Sequence, residues 1–109
     1  MPEFGVIVLV AFPFTDLTAS KVRPALVLSR KPSAQGDVVV CFITSRPPQN
    51  PASVIPLPAS RETGLKIPSF ARLDKIATLE HTVLLGELGR VAPSVLRKHR
   101  AKFLAIFGF

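Results

Sequence analysis

No apolar run in this sequence is long. The two longest are VIVLVAF at residues 6–12 and VVVCFI at residues 38–43, seven and six residues. A valine-rich run of that length, bounded by Gly, Pro and Ser, fits a buried strand and is too short for a core helix. Eleven prolines interrupt the chain, and a proline inside a ladder removes a donor, so long unbroken strands are excluded as well. The chain must therefore fold from several short strands joined by irregular loops.

A first strand is expected over residues 5–12, followed by the loop FPFTDLTASK at 12–21. A second is expected over 23–30, with Pro24 at its mouth, then a KPSAQGD turn at 31–37 and a third strand at 38–44. Pro56 inside a short strand at 53–57 places that strand at an edge or a bulge. Two more strands are expected at 69–77 and 83–91. Gly86 and Gly89 in the last mark sharp bending. From residue 92 the period changes. Val95, His99, Phe103 and Ile106 share one helical face, Pro93 suits the first turn and Gly108 the end. These readings give one domain over residues 1–109, mainly β with a C-terminal α-helix covering a strongly bent antiparallel sheet.

The formal net charge is +7, which attracts polyanions, of which nucleic acid is the commonest in a cytosol; an acidic protein would also fit. Neither long apolar run can cross a bilayer, and the start of the chain lacks the pattern of a secretory signal, so no membrane is expected. The single cysteine, Cys41, lies inside an apolar strand and reads as a small buried hydrophobe. The expected setting is reducing and cytoplasmic.

Several polar residues stand where strands begin or end. Arg23 is held extended by Pro24, and it is either paired with a carboxylate such as Asp16 or a tool for anions. Thr44 and Ser45 end the third strand, where hydroxyls and backbone N–H groups either satisfy a departing chain or meet a phosphate. Arg46 follows as a general phosphate contact. Arg72 and Asp74, two residues apart, fall on the same strand face, where the cation keeps the carboxylate ionised. His99 sits in the helix's apolar stripe and reads as a packed residue. His81 falls in a turn, and the helix cations Arg97, Lys98, Arg100 and Lys102 form a solvated face.

GVIVLVAFPFTD, KVRPALVLS, VCFITSR, FARLDKIATL and LGRVAPSVL occur in that order before a closing helix. In this ordered set, over nearly the whole chain, the sequence resembles the MazF/PemK toxins of type II toxin–antitoxin systems. The resemblance implies a small SH3-like barrel of the CcdB/PemK type, with five to seven strands, acting as a homodimer. It implies a metal-independent endoribonuclease that cleaves single-stranded RNA and needs no cofactor, and an antitoxin whose acidic C-terminal segment occupies the RNA groove. Catalytic roles fall on Arg23, Thr44 and Asp74, and RNA contact on Phe14, Lys21, Ser45, Arg46 and Arg72; with no Trp or Tyr in the chain, walling the core is the favoured job of Phe14. TDLTASK at 15–21 departs from the Gly-Ser-Glu-Gln type segment of many members. Two rival readings share the charge and size: a gyrase poison of the CcdB type, and an RNA-binding module without catalysis.

Overall fold

The computed structural model describes residues 2–13, 20–30, 34 and 36–109. Its six strands are β1 (Val6–Pro13), β2 (Ser20–Val27), β3 (Asp37–Thr44), β4 (Val54–Leu57), β5 (Ser69–Glu80) and β6 (Leu84–Arg90). They form one antiparallel sheet in the order β4-β5-β3-β2-β1-β6. The apolar runs supply its interior strands β1 and β3, and β4, which carries Pro56, is at one end as a proline-bearing strand should be.

Side-chain alternation divides the apolar residues between the two faces of the sheet. Ile7, Leu26, Cys41 and Ile43 join Leu57, Leu73 and Leu96 in one buried cluster. Val6, Val8, Val10, Ala25, Val27, Val38 and Val40 form a second. Burial on both faces explains why the runs show no polar positions. Cys41 is fully buried, and desolvation pushes its thiol up to about 12, so it packs as an inert hydrophobe.

Two strands depart from their expected form, and a third keeps it. β2 begins at Ser20 and ends at Val27, so Pro24 is mid-strand and not at the mouth. Five residues past Arg72, β5 reaches Ala77 while β3 moves only from Phe42 back to Val40, so residues 73–75 bulge out of the ladder. In β6, register shifts follow the pairing of Gly89 with Ile7 and of Gly86 with Leu9, which is the bending those glycines foretold.

Among the described residues no ladder joins β4 to β6, so the sheet is open. Residues 58–65 cross between its ends. The Thr63 hydroxyl, buried, donates to the Pro58 carbonyl at 2.8 Å and accepts from the Ser60 and Leu65 amides. The Arg90 amide donates to the Glu62 carbonyl at 2.9 Å. Gly89 lies so close to the backbone of Glu62 and Thr63 that a Cβ there would collide with it.

The expected single helix is two short ones, α1 (Pro93–Arg97) and α2 (Arg100–Ile106), broken at Lys98 and His99. Neither Ala92 nor His99 supplies a side-chain cap. Helices of five and seven residues gain little from their own hydrogen bonds, so burial sets their path. Leu96, Phe103 and Ile106 reach the first cluster, whereas Val95 is exposed. His99 is half-buried at the break, not at the centre of a packed stripe, and desolvation followed by Lys102 and Lys98 lowers its pKa. Arg97, Lys98 and Arg100 are exposed as expected, but Lys102 donates to the Val54 carbonyl at 3.0 Å and ties α2 to β4. His81 braces a turn: its amide donates to the Gly36 carbonyl at 3.0 Å, with its ring Nδ1 3.2 Å from the same oxygen.

Candidate functional site

The β2–β3 ladder pairs Val27 with Val40 and Ala25 with Phe42, and stops there. The Val27 carbonyl accepts from Gly5 on the β1 side, and the Leu28 amide donates to Val39 on the β3 side. Alternation then puts the missing N–H of Pro24 on the β3 side, where the pairing ends. Two residues past that last pair, alternation leaves Arg23 and Thr44 on the face that carries Ala25, Val27, Val38 and Val40. The two residues extend an apolar face past its end with a guanidinium and a hydroxyl.

They line one cavity of about 590 Å³, together with Arg46, Arg72, Asp74 and Lys75 and a floor from Phe42, Ile43 and Ile76. Four cations face a single carboxylate there, so the cavity favours an anion. The β5 bulge builds its far side, since Arg72 pairs with Phe42 in the ladder and Asp74 and Lys75 are in the bulge itself.

Arg72 holds Asp74 in a two-pronged contact, Nε to Oδ1 at 3.1 Å and Nη2 to Oδ2 at 2.8 Å. That hydrogen bond, ahead of every other cause, keeps the Asp74 carboxyl below its ordinary range and the Arg72 guanidinium above its own. Asp74 is therefore ionised at neutral pH and has both oxygens engaged. The Thr44 hydroxyl accepts from the Arg46 amide at 3.2 Å, which leaves its proton to be donated elsewhere.

Five of the residues singled out from sequence thus meet at one place: Arg23, Thr44, Arg46, Arg72 and Asp74. Ser45 and Lys21 are exposed and do not line the cavity, although Lys21 shares a strand face with Arg23. Phe14, and Asp16 as a partner for Arg23, lie outside the described residues. Sequence reasoning missed Lys75 and Phe42. Only a lysine in an otherwise strand-like stretch hinted at the bulge that brings Lys75 in. Among the described residues, no group of three or more His, Cys, Asp or Glu is placed to hold a metal ion, and no helix is long and apolar enough to cross a membrane.

A second cavity, of about 650 Å³, shares Thr44, Arg46, Arg72 and Asp74 with the first. Its outer wall is the segment 47–53, which caps a 3-10 turn (Pro51–Ser53), and its inner wall includes Val54 and Ile106.

A bent antiparallel sheet with an arginine- and threonine-lined anion site at a strand end defines a class of small basic β proteins, and solved structures share the fold. The chain is similar to a mycobacterial endoribonuclease in complex with its cognate antitoxin (TM-score 0.77, 19% identity, covering 100% of this chain and 97% of that one). It is similar to the toxin MazF-mt6 of Mycobacterium tuberculosis (TM-score 0.75, 23% identity, 94% and 95% covered). It is also similar to MazF of Deinococcus radiodurans in a MazE–MazF crystal (TM-score 0.75, 27% identity, 99% and 97% covered). No match is found among curated proteins. Residues 3–107 match the family of PemK-like, MazF-like toxins of type II toxin–antitoxin systems, and the chain belongs to that family.

Proposed function

We propose that this toxin is an endoribonuclease that cleaves single-stranded RNA without a metal, by attack of a 2′-hydroxyl on the adjacent phosphodiester. The observation that carries this reading is the presence of Arg23 and Thr44 on one cavity with four cations. The planar guanidinium of Arg23 takes two phosphate oxygens, and the Thr44 hydroxyl, oriented by the Arg46 amide, donates to the charge that grows on phosphorus. Asp74 is the sole carboxylate on the cavity wall and accepts the 2′-hydroxyl proton. Arg72 occupies one lone pair on each carboxylate oxygen, so a second on either oxygen is left for the proton while the pair stays in place. The bond from the 2′-oxygen to phosphorus forms as the bond to the 5′-oxygen breaks. That oxygen takes its proton from water, which reaches the exposed Arg23 and Asp74.

Lys21 and Ser45 extend the RNA path beyond the cavity in this reading, and Phe14 is its third RNA contact. The toxin works as a cytoplasmic homodimer, and its cognate antitoxin blocks the basic cavity with an acidic C-terminal segment. One structural neighbour is an endoribonuclease in complex with its cognate antitoxin, another comes from a MazE–MazF crystal, and the charge of +7 supports an acidic partner. The implied SH3-like barrel is supported by the curl that brings residues 58–65 of the β4 side against β6.

Incubation with a long single-stranded RNA in EDTA tests the reading. Fragments bearing 2′,3′-cyclic phosphate and 5′-hydroxyl ends are expected, formed about 100-fold or more slowly by Arg23→Ala. RNA that is bound but uncut would favour the non-catalytic module. Uncut RNA together with inhibited gyrase supercoiling would favour the CcdB-type poison.

A further inference from the structure

The second cavity has the size of a small-molecule site, since 650 Å³ falls in the range of about 300–1,000 Å³ typical of such pockets. It has no wall of its own on the side of Thr44, Arg46, Arg72 and Asp74, which belong to both cavities. Anything bound by its phosphate in the first cavity therefore has a neighbouring group directed into the second.

Its outer wall is stiff. Pro47, Pro48 and Pro51 fix three backbone φ angles. The Asn50 Oδ1 accepts from the Ala52 amide at 3.1 Å, and the Ser53 hydroxyl donates to the Asn50 carbonyl at 3.0 Å. Lys102 pins Val54 from behind at 3.0 Å. Pro47, Pro48, Val54 and Ile106 offer apolar surface to a flat ring. Within this frame the Asn50 and Ser53 side chains are spent on holding the loop. Gln49 is exposed, and its side-chain amide has no hydrogen-bond partner among the described residues. Among the described residues it is the one side chain of the wall that presents a donor and an acceptor together with neither engaged.

We propose that the second cavity seats the nucleobase next to the scissile phosphate and that the Gln49 amide reads its hydrogen-bonding edge, making Gln49 a specificity-determining residue. This inference rests on the endoribonuclease reading above. A neutral amide matches an edge with one donor and one acceptor side by side, as adenine presents, and the stiff loop limits where that amide can reach.

The test is to sequence the cleavage sites that the full-length toxin makes in a random-sequence RNA pool, for wild type, Gln49→Ala and Gln49→Glu. The wild type should prefer one base at a position flanking the cut. Gln49→Ala should lower that preference by about tenfold, the loss of one two-bond contact, while preferences elsewhere in the motif persist. Gln49→Glu, which can only accept, should move the preference toward a base presenting a donor. A motif unchanged in both variants, or a uniform loss of rate across all sequences, would overturn the subsite and leave the ribonuclease standing. A wild type that cuts nothing would remove both.

Discussion

Asp74 carries the site's main tension at the level of single residues. A general base should have a pKa near the working pH, yet Arg72 holds this carboxyl below its ordinary range. A depressed pKa keeps the acceptor form populated as pH falls. The acid limb of kcat/KM, which reports the free protein, should therefore appear below the ordinary carboxylate range near pH 4 and not between pH 5 and 7. Asp74→Asn should lower kcat by about 100-fold or more if the carboxylate moves the proton. A variant with near-normal kcat would instead make Asp74 a clamp that positions Arg72. The sign for stability runs the same way: the ion pair supports the fold above the unfolded pKa of Asp74, and that support is lost as pH falls through the folded one.

Among the elements, the 58–65 segment does the work that a ladder does elsewhere. Thr63 is its hub, with a buried hydroxyl that serves a carbonyl and two amides. Thr63→Val keeps the shape and leaves those groups without a partner. Unfolding in urea should show a loss of about 1–3 kcal/mol with an unchanged m-value. This segment illustrates what the sequence could not tell. Its residues are polar and turn-like, and nothing local says that Glu62 will meet Arg90 across the molecule. Strands were legible where valine runs met prolines, and Gly86 and Gly89 announced their bends. The β5 bulge was not, because FARLDKIATLE alternates well enough to pass for an even strand. The helix break at His99 escaped for a related reason: a 3.6-residue stripe describes a face, but burial of Leu96 and Phe103 decided the path. For the site, residue types at strand ends were legible, and their convergence depended on register. Arg23 and Thr44 line one cavity just past the last β2–β3 pair, Ala25 with Phe42.

At the scale of the whole molecule, charge and cavity point the same way. The chain carries +7, and four cations line the first cavity. If each met one phosphate, the log–log slope of single-stranded RNA binding against salt would be about −3. Arg23→Ala, used to prevent cutting, lacks one of the four contacts, so fluorescence anisotropy on that variant should give a slope of about −2. A slope near zero would mean that the basic charge serves some other partner.

In the proposed reaction Arg23 and Thr44 act together on one phosphate, and a double-mutant cycle on single-turnover cleavage in EDTA tests that most directly. Arg23→Ala and Thr44→Ala should each slow cleavage by about 100-fold or more. The double variant should be only slightly slower than either, since residues that act as a unit are not additive. A single variant cutting at the wild-type rate, or two losses that simply multiply, would contradict it.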